Sequence, residues 1–487
     1  MTAEPTPAET TDLTPDDIAT CVKVLGRIHT LADSHPDFVA VRQATGKMFK
    51  AVKRHRRNEK RDAVSAAVRA VMARTATASD VRIDDETAGI ELVSSAPGAV
   101  AGHLIRPRNC YICKQPYTQV DAFYHQLCPG CAVFSHGKRV ASADLSGRRA
   151  LLTGGRAKIG MYIALRLLRD GAHTTITTRF PRDAARRFMA VADSAEWIHR
   201  LRIVGIDLRD PAQVLALADS VAAAGPLDIL INNAAQTVRR SADAYRPLVE
   251  AEQQALPDGA GPVPELASFG HAHDRHPVAL AGSVAARPEL AGEDLAALAL
   301  AAKSAAPARI AAGTAVDAGG LVPDITGINS WTQSVDEVDP LELLEVQLCN
   351  VTAPFLLVSR LRPALAASEA RRKYVVNVSA MEGQFSRRYK GPGHPHTNMA
   401  KASLNMLTRT SAGEMFEEDR ILMTAVDTGW ITDERPHHTK VRLAQEGFHA
   451  PLDLVDGAAR VYDPIVQGEE GVDLFGCFLK DYKPSAW

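Results

Sequence analysis

Hydrophobic positions follow two different periods along this chain. In the N-terminal part, apolar residues such as Ile18 and Leu25 recur at helical spacing, which is typical of amphipathic helices. A capping hydroxyl at Thr14, followed by a proline and two acids, predicts the start of the first helix. Two further helices are predicted over about 37–53 and 62–73. The first part of the chain is therefore predicted to be helical.

From residue 145 onward, short apolar strands alternate with helical segments, which predicts a doubly wound parallel α/β sheet. The alternation is interrupted over about 241–336, which is rich in Ala, Gly and Pro and shows little strand periodicity. We interpret this interval as a surface insertion, helical near 293–304 and otherwise loosely ordered. The pattern predicts a helical region (1–95), a cysteine-bearing module (96–142) and an α/β domain (143–487).

The composition, 46% hydrophobic and 23% charged, is typical of a soluble globular protein. The formal net charge of −1 favours neither nucleic acid nor a membrane surface as a partner. No apolar run approaches the ~20 residues needed to span a bilayer. The first residues lack the basic and apolar regions of a signal peptide. These features predict a cytoplasmic protein.

Residues 47–61 contain eight Lys or Arg and a single acid. Such a stretch is able to contact a phosphate backbone. The charges are not interleaved with a series of aromatic side chains that stack on bases, however. We favour a solvated helix face, which leaves nucleic acid as a disfavoured but open alternative.

Four of the seven cysteines form two Cys-x-x-Cys pairs, Cys110/Cys113 and Cys128/Cys131, separated by fourteen residues. Four thiolates at this spacing suit tetrahedral Zn²⁺. Because all four positions are cysteine, no coordination position stays open, and the metal is predicted to be structural. His125 either supports the ligands or is a surface residue.

Residues 149–160 form a short apolar strand that runs into a glycine-bearing turn and then a helix. Such a unit presents backbone N–H groups and the positive end of a helix dipole to a pyrophosphate. Three later segments each follow a predicted strand. One ends in Asp207-Leu, one reads Asn-Asn-Ala-Ala over 232–235, and one reads Asp-Thr-Gly-Trp-Ile-Thr over 427–432.

In this order, the segments resemble the short-chain dehydrogenase/reductase family over roughly 145–240 and 337–487. The resemblance implies a nicotinamide dinucleotide as cofactor. The contacts that it implies lie on the glycine turn, the strand ends and the active-site lysine: Gly154, Gly155, Arg156, Ile159, Gly160, Arg179, Asp207, Leu208, Asn233, Ala234, Lys401, Thr428, Gly429 and Ile431.

The charge after the second strand of this domain bears on the choice of cofactor. An NAD-specific site carries an acid there for the ribose hydroxyls, whereas this chain has Arg179 and, three residues later, Arg182. A guanidinium pairs bidentately with phosphate, which suits a 2′-phosphate. NADP(H) is therefore favoured over NAD(H).

The resemblance also implies four cooperating catalytic positions. Asn350, Ser379 and Lys401 stand where the family has its Asn, Ser and Lys, but Thr397 takes the place of the proton-donating tyrosine. An aliphatic hydroxyl is a far weaker acid than a phenol, whose pKa is near ~10. The nearby side chains that are candidates to replace it are Tyr389, His394 and His396.

These observations predict an NADP(H)-dependent oxidoreductase that reduces a carbonyl or oxidises an alcohol, with a proton donor other than the family's tyrosine. The alternative is a catalytically silent dinucleotide-binding sensor or scaffold, whose zinc module and basic helices contact a partner. The substrate is expected to be a small molecule of unidentified class. Since members of the family usually pair through helices that flank the active site, residues 403–412 are a candidate homo-oligomer contact.

Overall fold

The computed structural model describes residues 13–79, 82, 98–240, 243–256, 262–269, 321, 327–431 and 434–487. The chain divides into two compact units, 1–70 and 71–487.

The first unit is helical. It contains α1 (Pro15–Arg27) and most of α2 (Pro36–Met72). The Thr14 hydroxyl oxygen accepts a hydrogen bond from the Asp17 N–H at 3.2 Å, and the Asp17 carboxylate accepts from the Thr14 N–H at 3.0 Å. These reciprocal bonds form a capping box, so the predicted start of the first helix is confirmed.

Helix α2 is continuous where the sequence predicts two helices with a break between them, and that prediction is wrong. Residues 53–62 contain no glycine or proline, and Lys, Arg and Glu are good helix formers, so nothing in the local sequence ends the helix. The eight basic side chains of 47–61 are all exposed, as on a solvated helix face.

In the described part of the second unit, a β-hairpin precedes a nine-stranded sheet that has helices on both faces. The hairpin strands are β1 (Val100–Asn109) and β2 (Pro116–Asp121). The sheet strands are β3 (Arg149–Leu152), β4 (His173–Thr178), β5 (Leu201–Gly205), β6 (Ile229–Asn232), β7 (Glu265–Ser268), β8 (Lys373–Ser379), β9 (Ile421–Asp427), β10 (Phe478–Lys480) and β11 (Lys483–Ser485). The helices are α3 (Pro129–Val140), α4 (Lys158–Arg169), α5 (Pro181–Met189), α6 (Pro211–Ala223), α7 (Arg246–Gln253), α8 (Pro340–Gln347), α9 (Ala353–Ala366), α10 (Pro395–Asp419), α11 (His437–Gln445) and α12 (Leu454–Glu469).

The sheet has the strand order β11-β10-β9-β8-β6-β3-β4-β5-β7. Its strands are parallel except for β11, which runs antiparallel to β10. Every residue of β6, β8 and β9 is buried, because helices cover both faces of the sheet. The predicted doubly wound parallel fold is confirmed.

Strand β7 lies in the interval that shows little strand periodicity in the sequence. It nevertheless pairs in parallel with β5 and forms one edge of the sheet. A four-residue edge strand whose side chains are mostly exposed leaves almost no hydrophobic pattern, since backbone pairing alone defines it. The helix predicted near 293–304 lies outside the described residues.

Residues Pro340–Ala366 form a helical stretch that is long and apolar enough to cross a membrane, judged by length and composition alone. Of its most apolar window, 44% is buried inside the protein. Leu357 and Leu361 of this stretch are completely buried in the core on one face of the sheet.

The cysteine-bearing segment docks on α12 through a buried polar network. Arg139 of α3 forms an ion pair with Asp453 at 2.5 Å and with Asp456 at 3.2 Å. The Tyr124 hydroxyl donates to Asp456 at 2.5 Å, and Lys138 pairs with Asp463 at 2.5 Å. A buried charge that loses its partner is strongly destabilising, so these contacts favour a single orientation of the segment on α12.

Candidate active site

A cavity of about 1560 Å³ opens at the carboxyl ends of the parallel strands. Open α/β sheets bind their ligands at this edge. Thirteen of the fourteen cofactor contacts that the sequence implies line the cavity. The exception is Gly155, which lies against the Ile176 side chain. The four catalytic positions also line it, namely Asn350, Ser379, Thr397 and Lys401.

The glycine turn between β3 and α4 is held in shape by the end of β6. The Asn233 side-chain amide donates to the carbonyl oxygens of Thr153 and Gly154, at 3.0 and 3.1 Å. The Thr153 hydroxyl oxygen accepts from the backbone N–H groups of Asn233 and Ala234, both at 3.0 Å. Gly154 has a φ of +71°, in the left-handed region that glycine adopts freely. The N-terminus of α4 consequently faces the cavity, where its dipole favours an anion.

The two arginines after β4 have different surroundings. Arg179 lines the cavity, donates to the Tyr245 hydroxyl at 3.2 Å and lies over the Tyr245 ring at 5.1 Å. Arg182 is exposed and donates to the Glu252 carbonyl oxygen at 3.0 Å, and it does not line the cavity. Only the first of the pair is therefore placed to meet a ligand there.

Asp207 lines the cavity, but Arg209 occupies its carboxylate. The Arg209 guanidinium donates to Asp207 at 2.6 Å and to Glu345 at 2.9 Å. Although burial opposes it, the hydrogen bonds and charge of Arg209 hold the pKa of Asp207 below its ordinary value. Both residues of this buried pair line the cavity.

Asn350 lies in a π-helical turn, Leu348–Thr352, between α8 and α9. Its side-chain oxygen accepts from the Gln236 N–H at 2.8 Å, and its amide nitrogen donates to the Gln236 carbonyl oxygen at 2.9 Å. The side chain thereby ties the segment after β6 to this helix. Single π-turns inside α-helices occur frequently at functional sites.

Ser379 ends β8, and its hydroxyl donates to the Asn405 side-chain oxygen at 2.6 Å. The orientation of this amide is defined, because Asn405 also donates to the Gly383 carbonyl oxygen at 3.0 Å and a carbonyl can only accept. The hydrogen of the Ser379 hydroxyl is therefore used in the bond to Asn405, and the hydroxyl oxygen remains able to accept a hydrogen bond. Sequence reasoning missed Asn405, although its position four residues after Lys401 places both on one face of α10.

Lys401 is buried, and its ammonium donates to the Val378 carbonyl oxygen at 2.8 Å. Burial lowers the pKa of Lys401 to about 8. An ammonium has three hydrogens, so two remain for groups inside the cavity.

Thr397 is buried, and its hydroxyl lies 3.5 Å from Nε2 of His396. His396 is also buried and does not line the cavity; burial lowers its pKa. Tyr389 and His394 do line it, but the Tyr389 side chain is 73% exposed. Of the three candidates to replace the tyrosine, the structure therefore brings two to the cavity.

The four cysteines of the hairpin segment converge, and their sulfur atoms all lie within 4.8 Å of one another. The Cys113 and Cys128 sulfurs are 3.6 Å apart. Sulfurs bound at about 2.3 Å to one tetrahedral zinc ion lie at about this separation. His125 is buried, so the surface alternative from the sequence is wrong. Among the described residues, its ring nitrogens contact the Thr77 hydroxyl at 2.8 Å and the Gln126 side chain at 2.9 Å, and neither contacts a cysteine sulfur.

The cysteine segment also forms one wall of the cavity, which sequence reasoning missed. Tyr111, between the first two cysteines, lines the cavity, and its hydroxyl oxygen accepts from the Trp430 N–H at 2.9 Å. Trp430 follows Thr428 and Gly429, which are among the implied cofactor contacts. Burial raises the pKa of Tyr111 strongly. The contact joins residues 319 positions apart, so no local sequence pattern predicts it.

Comparison with known proteins gives matches in sequence and in fold. A family model described as short chain dehydrogenase matches residues 148–252. "Uncharacterized protein R665" of Acanthamoeba polyphaga mimivirus is 32% identical over 375 residues, covering 74% of this chain and 71% of its own. A "Probable oxidoreductase" of Streptomyces antibioticus is 41% identical over 91 residues, covering 19% of this chain and 30% of its own.

The solved structures that this chain matches include a short chain dehydrogenase from Burkholderia cenocepacia in complex with NADP. It is 20% identical, covers 69% of this chain and 96% of its own, and has a TM-score of 0.41. An NADPH-bound carbonyl reductase from chicken fatty liver is 18% identical, with coverages of 72% and 98% and a TM-score of 0.40. Residues 148–252 match the family model, and the order of the sheet and the glycine turn agree with it. The chain belongs to the short-chain dehydrogenase/reductase family.

Proposed function

We propose that this protein is an NADP(H)-dependent oxidoreductase that transfers hydride between the nicotinamide and the carbon of a carbonyl or alcohol, with a proton donor other than Thr397. The observation that carries the proposal is the convergence of Asn350, Ser379 and Lys401 with the glycine turn in one cavity. Lys401 is buried with its ammonium on the Val378 carbonyl oxygen, and because a buried ammonium is costly, its place in the cavity supports a role in binding or catalysis.

The lining residues fit a dinucleotide in their chemistry. The α4 N-terminus and the glycine turn suit a pyrophosphate, and Arg179 suits a 2′-phosphate. When bound, NADPH supplies the hydride. The hydrogens that Lys401 does not donate to Val378 are available to ribose hydroxyls, and the Ser379 oxygen accepts from a substrate hydroxyl.

We also propose that the four cysteines hold Zn²⁺. Four thiolates leave no open position for a substrate or water, so the metal supports the hairpin segment and takes no part in the reaction.

The proposed activity is tested by mixing the purified protein with NADPH and an aromatic aldehyde, a cyclic ketone or a quinone, and following the dihydronicotinamide absorbance. We expect turnover with at least one class. Lys401→Ala should lower the turnover number by about 100-fold or more, because the nicotinamide ribose would lose its contact and a misplacement of about 1 Å costs about 10²-fold.

Tight NADPH binding without turnover, changed by Lys401→Ala in affinity alone, would instead establish the silent dinucleotide-binding alternative. The observation that favours this alternative is Thr397, whose hydroxyl is a poor acid.

The preference for NADP(H) predicts different results for the two arginines. Arg179→Ala should weaken NADPH binding by about 10- to 100-fold, because a charged hydrogen bond contributes roughly 1.5–3 kcal/mol. The affinity for NADH should change by less than about 2-fold. Arg182→Ala is the matched control and should leave both affinities unaltered, since Arg182 does not line the cavity. Fluorescence titration measures all four constants. Equal losses for NADPH and NADH in Arg179→Ala would refute the 2′-phosphate assignment.

A further inference from the structure

His394 immediately precedes α10, three residues before Thr397. Both side chains line the cavity that also contains Ser379 and Lys401. An imidazole is therefore present in this cavity, three positions before the residue that stands where the family has its phenol.

The ring of His394 has a defined orientation. It lies flat on the Trp331 indole, with ring centroids 3.9 Å apart and an angle of 7° between the planes. Its Nδ1 is 2.9 Å from the Trp331 carbonyl oxygen. Because a carbonyl can only accept, Nδ1 carries a hydrogen, and Nε2 is the ring nitrogen that remains for another partner. No partner for Nε2 is found among the residues that the structure describes.

The backbone of His394 adopts an unfavourable conformation that is consistent with this orientation of the ring. His394 has φ 45° and ψ 48°, in the left-handed region that non-glycine residues seldom adopt. Its N–H donates to the Gln333 carbonyl oxygen at 3.1 Å. A Cβ on Gly393 would lie 2.9 Å from the Trp331 carbonyl oxygen, so the chain can approach segment 331–333 this closely only through a glycine. Backbone strain of this kind is concentrated at functional sites.

Four other side chains at or near the cavity are less well placed to donate a proton. The Ser379 hydroxyl donates to Asn405, and His396 is buried away from the cavity. Tyr389 is largely exposed, and no described hydrogen bond positions its hydroxyl. Tyr111 is held by Trp430, on the segment after β9 and not on α10.

We propose that Nε2 of His394 is the proton donor of the reaction, a role that rests on the proposed oxidoreductase function. In the reductive direction, a hydride from NADPH forms the new C–H bond at the carbonyl carbon. The π electrons of the C=O bond move to its oxygen, which takes the proton from the His394 imidazolium. The products are the alcohol, NADP⁺ and neutral His394, which regains a proton from water. Oxidation reverses each step, with neutral His394 as the base.

The test compares His394→Asn and His394→Ala with the unaltered protein, using NADPH and the aldehyde, ketone and quinone probes. Asparagine tolerates the left-handed conformation, and its amide can donate to Trp331, but it has no titratable nitrogen. We expect the turnover number to fall by about 10²–10⁴-fold while the NADPH dissociation constant changes by less than about 3-fold. Added imidazole should restore turnover in His394→Ala, which a purely structural role would not allow.

The controls are Tyr389→Phe and His396→Asn, each expected to retain at least about one third of the activity. Near-normal turnover in His394→Asn, or a loss in His394→Ala that imidazole does not relieve, overturns the assignment and leaves the proposed function standing. If His394→Ala does not fold, His394→Asn decides by itself. An unaltered protein that binds NADPH but oxidises it with none of the probes overturns the proposed function and this assignment together.

Discussion

Replacing Gly160 by alanine is expected to abolish dinucleotide binding. A Cβ at this position would lie 2.0 Å from the Gly154 carbonyl oxygen and 2.8 Å from the Asn233 side-chain nitrogen. The first of these contacts is with backbone, which cannot move without opening the glycine turn, and the second is with the amide that holds the turn to β6. We expect the NADPH dissociation constant to rise by at least about 100-fold, since the anion-binding N–H groups of the turn would be displaced.

The matched control is Gly413→Ala in α10. Nothing lies within 4 Å of the Cβ that this change adds. A glycine inside a helix costs roughly 1 kcal/mol relative to alanine, so the control should be slightly more stable and bind NADPH normally. Isothermal titration gives the affinities, and thermal unfolding shows whether Gly160→Ala still folds. A Gly160→Ala protein that folds and binds NADPH with unchanged affinity would contradict the role assigned to the turn.

Replacing one of the four clustered cysteines is expected to prevent the proposed zinc binding and to unfold the hairpin segment. Cys113 is the best position, because it is exposed and its replacement by serine removes little packing. Structural zinc sites in small peptides have apparent binding free energies of about 10–16 kcal/mol, most of which becomes folding free energy. We expect Cys113→Ser to contain no stoichiometric zinc and to unfold at a clearly lower temperature.

The same variant should also bind NADPH more weakly, by about 10-fold or more, because the segment supplies a wall of the cavity and Tyr111 holds Trp430 beside Gly429. Cys21→Ser, an exposed cysteine outside the cluster, is the control for loss of a thiol. Elemental analysis, thermal unfolding and NADPH titration are the measurements. An unaltered protein without bound metal would refute the zinc assignment, and normal NADPH affinity in Cys113→Ser would refute the role of the wall.

Much of the fold could be predicted from the sequence, because central parallel strands are buried on both faces and leave uninterrupted apolar runs. The strands that end in Ser379 and Asp427 are of this kind. Elements that bury few side chains were either missed in the sequence or predicted with the wrong bounds. Strand β7 is a short exposed edge, and helix α2 continues through charged residues where no apolar periodicity indicates its course.

The sequence by itself determined the family, the doubly wound sheet, the glycine turn, the cysteine pairs and the absence of a tyrosine at Thr397, because each of these depends on residue types at short spacing. The tertiary structure decided what those residues face. It separated Arg179 from Arg182, brought Tyr111 onto Trp430, and stacked His394 on Trp331. Such contacts join segments far apart in the chain, and they depend on how buried surfaces pack and not on any local period.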